Sequence, residues 1–130
     1  MSNGFLTIIL HCHLPYVRHP EHEGFLEEDW FYEAVAETYL PLLRVLRRLR
    51  RDDAPARIAV SLSPTLCEMI SNELLRARCL SYLDQHVELA EREVRRNRNT
   101  PYAPAARMYR CLLYTSPSPR DLSTSRMPSS

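Results

Sequence analysis

The stretch Phe5-Leu6-Thr7-Ile8-Ile9-Leu10-His11-Cys12-His13-Leu14-Pro15 decides the fold class of this chain. Its first six residues are mostly β-branched or large aliphatic and show no polar alternation, which is typical of a strand buried on both faces of a parallel sheet. We expect this strand over 5–11. Because side chains alternate along a strand, His11 and His13 should share one side at its C-terminal end. Ligands bind at that end of the strands in α/β folds, so both histidines are candidate site residues.

Further elements continue the alternation of strand and helix. A polar loop over 15–28 is long for a connection between strand and helix, and long loops in compact domains are often functional. Apolar residues then recur at helical spacing over 29–51, where Pro41 is expected to kink the helix or to stand in the first turn of a second one. A second apolar run over 57–62 predicts another strand.

The second strand leads directly into a helix start. Ser63 suits the N-cap and Pro64 the first helical position, and an apolar stripe predicts a long helix over 72–96. The order strand, helix, strand, helix favours an α/β fold with a parallel sheet and right-handed crossovers. Two βα units cannot close a barrel or bury both faces of a sheet, so we expect the sequence to be the start of a larger domain.

Composition restricts the classes of partner and the compartment. The formal net charge of +1 over 130 residues gives no reason to expect a nucleic acid or an anionic membrane surface as partner. No apolar stretch approaches the ~20 residues needed to span a bilayer, and no signal-peptide pattern opens the chain. The four cysteines show no C-x-x-C pairing. We interpret them as reduced thiols of a cytoplasmic protein.

The stretch 111–130 differs in kind from the rest. It holds six Ser, three Pro and two Thr, without apolar periodicity, and is expected to be disordered. Its first eleven residues, Cys-Leu-Leu-Tyr-Thr-Ser-Pro-Ser-Pro-Arg-Asp, resemble a string that recurs at the ends of unrelated metagenomic proteins and looks like translated sequencing adapter. The change falls abruptly after a helical pattern over 105–110. We therefore expect a domain over 1–110 and a non-native tail over 111–130, the alternative being a natural flexible tail.

Three interpretations of the His-x-His pair stay open from spacing alone. Two neutral imidazoles on one strand face can bind zinc or a binuclear metal centre. They can also form hydrogen bonds with a polar ligand such as a sugar, or serve the structure of the strand end. A metal centre needs a third and usually a fourth ligand, and no matching strand-end His or carboxylate lies nearby in the sequence. The spacing therefore favours the other two interpretations.

Other candidate residues follow each strand. Trp30 lies beside an acidic triplet and can stack on a sugar ring, with core packing as the alternative. Glu68 follows the second strand and can face the same pocket as the histidines, or it can be a surface carboxylate. The loop after the first strand also carries residues that suit either a metal loop or a solvated polar loop: His19, Glu21, His22 and Glu23.

Separate blocks of the sequence resemble one enzyme family in the same order. Leu10-His-Cys-His-Leu-Pro-Tyr-Val-Arg-His-Pro-Glu21 is similar to the first signature region of glycoside hydrolase family 57. The blocks 25–34, 37–43 and 62–69 are most similar to its 1,4-α-glucan branching enzymes. The resemblance implies that the chain carries the first two βα units of an incomplete (β/α)7 TIM-like barrel. It also implies retaining chemistry on α-glucans such as amylose and glycogen, and no cofactor.

The same resemblance assigns binding residues but no catalytic ones. It implies that His11 and His13 line the subsite of the transferred sugar, and we expect Trp30 and Glu68 to contribute to substrate binding. A retaining enzyme needs two carboxyl groups about 5–5.5 Å apart, which in this family come from later strands. No Asp or Glu here matches those motifs, so the chain alone is expected to hold no catalytic residue and no metal, and to be inactive.

Alternative functions remain at this stage. Within the family they are 4-α-glucanotransferase and α-amylase. Outside it, a metal-dependent hydrolase of the amidohydrolase type also ends its first barrel strand in His-x-His. The chain can also be an inert piece or a weak glucan binder.

Overall fold

The computed structural model describes residues 4, 6–22, 24–55 and 57–114. Strands β1 (Ile8–Cys12) and β2 (Ile58–Leu62) pair in parallel, so that Ile8 lies opposite Ile58 and Cys12 opposite Leu62. The helices are α1 (Leu26–Ala34), α2 (Leu40–Arg51), α3 (Pro64–Ser71), α4 (Glu73–Arg96) and α5 (Ala103–Tyr114), with a π-helical segment, Val35–Tyr39, between α1 and α2. Helical chain thus separates two parallel strands, which confirms the predicted α/β class and the two βα units.

The helical stretch between the strands begins earlier than expected and changes to a π-helical segment before Pro41. It starts at Leu26, because acidic residues in a first helical turn interact favourably with the helix dipole. Pro41 has no N–H and its ring crowds the carbonyl four residues earlier. The chain responds with the π-helical segment, in which the Leu40 N–H donates to the Val35 carbonyl, five residues back. Pro41 then lies in the first turn of α2. This is the second of the two predicted alternatives, in which Pro41 stands in the first turn of a second helix.

Two side chains cap the helices that follow β2. The hydroxyl of Ser63 accepts from the Leu66 N–H at 3.3 Å, which confirms the predicted N-cap of α3. Asn72 ends α3 and caps α4, its side-chain oxygen accepting from the Leu75 N–H at 3.2 Å. Each such cap stabilises a helix by about 1 kcal/mol. The caps fix the points where the chain leaves the sheet and where it turns into α4.

The core lies between the end of the sheet and the inner faces of the helices. Phe31 of α1, Leu66 and Met69 of α3 and Leu75 of α4 are almost completely buried. Burial of each such side chain contributes about 1.5–3 kcal/mol. Cys12 belongs to the same cluster, so β1 reaches this core through its last residue. The core therefore holds the C-terminal end of β1 against α1 and α3.

The expectation that the first strand is buried on both faces is wrong for this chain. The side chain of Ile9 is 68% exposed, and Ile8 and Leu6 are exposed as well. In β2, Val60 and Leu62 are also exposed. Two strands have two open edges, and the helices described here cover only part of the sheet. The exposed apolar faces agree with the expectation that two βα units cannot bury a sheet.

Helix α5 continues four residues past the boundary that the sequence suggested. It ends at Tyr114, whereas the tail was expected to begin at Cys111. Leu113 packs against the core, and the Tyr114 hydroxyl donates to the carboxylate of Glu91 on α4, so these contacts extend the helix. The rest of the expected tail, 115–130, lies outside the described residues. Whether the tail is native stays a prediction.

Candidate functional site

The two histidines at the end of β1 lie side by side. Their ring centroids are 6.0 Å apart and their planes differ by 8°. Both side chains are exposed, whereas Cys12 between them is buried in the core. This alternation confirms that His11 and His13 share one face of the strand, and Cys12 points away from it. The pair presents two parallel imidazole rings to the solvent.

The neighbouring strand and helix hold this pair in place. The sheet register puts Ser61 of β2 opposite His11, and its hydroxyl lies 3.3 Å from His11 Nδ1. The Ser63 N–H donates to the Cys12 carbonyl at 3.0 Å. Thr65 Oγ1 donates to the Leu14 carbonyl at 2.9 Å. The backbone on both sides of His13 is therefore fixed to the chain that follows β2.

The other two predicted binding residues do not join the histidines in any contact that the described structure contains. Trp30 is half exposed on α1, so the core alternative does not apply to it, whereas its neighbour Phe31 is buried. Glu68 is exposed on α3 and borders a shallow depression together with Arg18 and Glu73. The structure thus brings together His11, His13 and Ser61, while the roles of Trp30 and Glu68 stay predictions.

The histidines of the loop after β1 contact an aromatic ring and a carboxylate. The rings of His19 and His22 pack on Phe25, with centroids 3.8 Å and 5.3 Å away. His19 Nδ1 lies 3.2 Å from a carboxylate oxygen of Glu21. Across the part of the chain that the structure describes, no three His, Cys, Asp or Glu side chains come together as ligands of a metal ion. Glu23, part of the predicted loop, lies outside the described residues.

Behind this loop lies a buried carboxylate, Glu28, the middle residue of the acidic triplet Glu27-Glu28-Asp29 beside Trp30. Glu28 is 1% exposed. One carboxylate oxygen accepts from the His19 N–H at 2.8 Å, and the other accepts from the Tyr32 hydroxyl at 2.7 Å. Arg78 of α4 donates to both oxygens at 2.9 and 2.7 Å. Through these donors Glu28 joins the loop, α1 and α4.

These contacts set the ionisation of the buried groups. Burial opposes the charged form of Glu28 and would raise its pKa, but the hydrogen bonds from His19, Tyr32 and Arg78 outweigh burial and lower the pKa below its usual value. Burial, together with the hydrogen bond to Glu28, raises the pKa of Tyr32. Glu28 is thus a carboxylate and Tyr32 a neutral phenol at neutral pH. Neither reaches the strand-end histidines, and their arrangement supports the loop.

Comparison with known families decides the classification. The profile of Glycosyl hydrolase family 57 matches residues 7–113, which include both strands, the histidine pair and the buried carboxylate. The chain belongs to glycosyl hydrolase family 57. The resemblance read from its separate sequence blocks is therefore confirmed, and so is the family of α/β enzymes to which its two βα units were assigned.

Several proteins with known sequences are similar to this chain. A 1,4-alpha-glucan branching enzyme of Thermococcus kodakarensis is 35% identical over 92 residues, which are 71% of this chain and 14% of that protein. Two probable 1,4-alpha-glucan branching enzymes from strains of Mycobacterium tuberculosis are 36% identical over 64 residues, 48% of this chain and 12% of each protein. The chain thus spans about a seventh or less of the length of these relatives.

Two solved structures share the fold and part of the sequence. The alpha-amylase AmyC from Thermotoga maritima superposes with a TM-score of 0.76 at 38% identity, covering 87% of this chain and 21% of AmyC. A GH57-type branching enzyme from Pyrococcus horikoshii superposes with a TM-score of 0.75 at 29% identity, covering 85% of this chain and 21% of that enzyme. Structural similarity therefore extends equally to enzymes with two different activities.

Within 6–22, 24–55 and 57–114, no helix combines the length and the apolar character that crossing a membrane requires.

Proposed function

We propose that this chain is the N-terminal part, over 1–110, of the catalytic barrel of a 1,4-α-glucan branching enzyme. The reaction forms α-1,6 branches in a glycogen-type polysaccharide of the cytoplasm. A nucleophile opens an α-1,4 bond and forms a glycosyl-enzyme intermediate, and the 6-hydroxyl of another glucan chain then takes the place of water. In this proposal the nucleophile and the acid/base come from outside the chain.

The observation that carries the proposal is the histidine pair at the end of β1. Parallel rings 6.0 Å apart, both exposed, can donate to or accept from neighbouring hydroxyl groups of one sugar ring. The Ser61 hydroxyl beside His11 limits the rotation of that imidazole. We assign His11 and His13 to binding the transferred sugar, and Trp30 and Glu68 to more distant parts of the glucan chain.

Support for branching over the other activities of the family comes from its relatives. The sequence relatives from Thermococcus and Mycobacterium carry the name of branching enzyme. The similarity to AmyC, at 38% identity, favours an α-amylase as the second candidate. An amidohydrolase-type centre has less support, because the chain belongs to a glycoside hydrolase family and the histidine pair has no ligand partner among the described residues.

The test places this segment in two related enzymes of known structure. Residues 7–113 replace the corresponding segments of the Pyrococcus branching enzyme and of AmyC, and each chimera is incubated with amylose. The proposal expects new α-1,6 linkages, detected by proton NMR, from the first chimera and weak release of reducing ends from the second. Strong hydrolysis by the AmyC chimera combined with no branching by the other would assign the segment to an amylase.

Metal content separates sugar binding from metal binding. Elemental analysis of the branching chimera should give negligible zinc, and the same value after His13→Ala. One equivalent of zinc that disappears in this variant would contradict the assignment of the histidines to sugar hydroxyls.

A further inference from the structure

Arg78 of α4 donates hydrogen bonds to the loop backbone as well as to its ion-pair partner. Besides both oxygens of Glu28, its Nη1 donates to the His19 carbonyl at 3.2 Å, and its Nη2 donates to the His22 carbonyl. The side chain of Arg78 is only 18% exposed. A planar guanidinium spreads five donors over separate nitrogens in a rigid fork, which suits a carboxylate and two carbonyls that lie apart better than the compact charge of an ammonium group does. Arg78 therefore binds α1 and the loop simultaneously.

The loop between β1 and α1, residues 13–25, is held at both ends. Near β1, α3 holds it, because Thr65 donates to the Leu14 carbonyl and the Val17 N–H lies 3.3 Å from the sulfur of Met69. Near α1, the contacts with Glu28 and Arg78 hold the backbone of His19 and His22. The described part of this loop, 13–22 and 24–25, holds neither strand nor helix and is given one shape by side chains from three helices.

The buried Glu28–Arg78 pair destabilises the fold if either partner is missing. A carboxylate taken out of water needs its full set of donors, and removing one partner of a buried ion pair leaves an uncompensated charge. If Arg78 is lost, Glu28 must move towards water or take up a proton. Its remaining partner in the loop, the His19 N–H at 2.8 Å, moves with it. The shape of the loop therefore depends on Arg78.

We infer that Glu28 and Arg78 are positioning residues that set the course of the β1–α1 loop at His19 and His22, and with it the placement of Trp30 towards the glucan. This inference rests on the proposed function. His13 is the first residue of the loop, and Trp30 lies two residues after Glu28 on α1. When the pair is broken, the loop at His19 loses its contact with α1 and α4, and the first turns of α1, which carry Trp30, are free to shift with it.

The test uses the Pyrococcus chimera with Arg78→Gln and, as its matched control, Arg95→Gln. Arg95 is on the same helix, is 70% exposed and lies 3.9 Å from Glu91. Arg78→Gln should raise the KM for amylose about tenfold and speed hydrogen exchange of the loop amides, while the exchange of α3 and α4 stays the same. Arg78→Lys should restore part of the KM, because an ammonium can pair with Glu28 but cannot also reach the His22 carbonyl. The control should change neither quantity.

A purely structural role gives a different result. It lowers the amount of active enzyme and leaves the KM unchanged, and an unchanged KM with faster loop exchange overturns the inference. If Arg78→Gln does not fold, Tyr32→Phe takes its place, because it removes one hydrogen bond to Glu28 and leaves the ion pair. It should raise the KM about threefold, and an unchanged KM overturns the inference there too. A chimera that hydrolyses amylose without branching refutes the proposed function, yet the KM comparison can still be made on hydrolysis.

Discussion

The carboxylate of Glu28 on α1 lies 2.7 Å from the guanidinium of Arg78 on α4, although the two residues are 50 positions apart in the sequence. Both residues also contact the backbone of the loop that follows β1. The ion pair thus joins two helices and holds the loop that begins at His13 through the backbone of His19 and His22. This long-range ion pair therefore gives the β1–α1 loop a defined shape.

Stability of the Pyrococcus chimera should fall in acid because of Glu28. The pKa of this carboxylate is lowered on folding, so its contribution is present above its unfolded-state value of about 4.5 and is lost as the pH falls through the lower folded-state pKa. Glu28→Gln should destabilise the chimera by about 2 kcal/mol at neutral pH. The difference in unfolding free energy should shrink below about pH 4.5. A difference that does not change with pH in urea titrations would contradict this account.

Two cysteines should differ in reactivity. Cys79 is buried in the core, and burial raises the pKa of its thiol to about 11, whereas Cys67 is exposed on α3. The reactive form is the thiolate, so iodoacetamide should modify Cys67 at least about 100-fold faster at pH ~8. Mass spectrometry of the chimera after timed alkylation measures both rates. Equal rates would mean that α4 does not pack as described.

The segment 1–110 by itself should fold poorly and catalyse nothing. Its sheet leaves Ile9, Val60 and Leu62 exposed, and open strand edges with apolar faces favour aggregation or loose packing. Transglycosylation also needs a positioned nucleophile and acid/base, which we do not assign to this chain. Purified 1–110 should give broad amide NMR signals and no α-1,6 linkages from amylose. Cooperative unfolding together with measurable branching would refute both halves of this prediction.

The tail should prove foreign to the natural protein. Its composition changes abruptly at Cys111, and its first residues resemble translated adapter. The continuation of α5 to Tyr114, where Leu113 packs against the core and the Tyr114 hydroxyl donates to Glu91 on α4, does not test the origin of these residues. Long-read sequencing of the source locus should give a reading frame that departs from this sequence near Arg110. A frame that continues unchanged through Ser130 would show that the tail is native.

Features with a local cause could be predicted from the sequence. The alternation of side chains along a strand places His11 and His13 on one face and Cys12 on the other. The N-cap at Ser63 depends on residues next to it in the chain. The order of strands and helices follows from periodicity within short windows. Each of these properties is set by a few consecutive residues.

Features that depend on distant partners could not be predicted from the sequence. An acidic residue in the first turn of a helix is usually solvated, and nothing near Glu28 in the sequence indicates that Arg78 will neutralise it. The apolar character of β1 predicts burial, but burial depends on how many helices and strands surround it, so Ile9 is exposed here. The π-helical segment before Pro41 was missed because a kink and a widened turn both relieve the same clash.

The central claim is that the strand-end histidines bind the glucan. The measurement that tests it most directly is the rate of glucan transfer by the Pyrococcus chimera carrying His13→Ala, compared with His22→Ala. His22 is an exposed histidine of the same loop, and its ring packs on Phe25. The account predicts that His13→Ala lowers kcat/KM about 10- to 100-fold, while His22→Ala leaves it within about twofold. Equal rates for the two variants would contradict it.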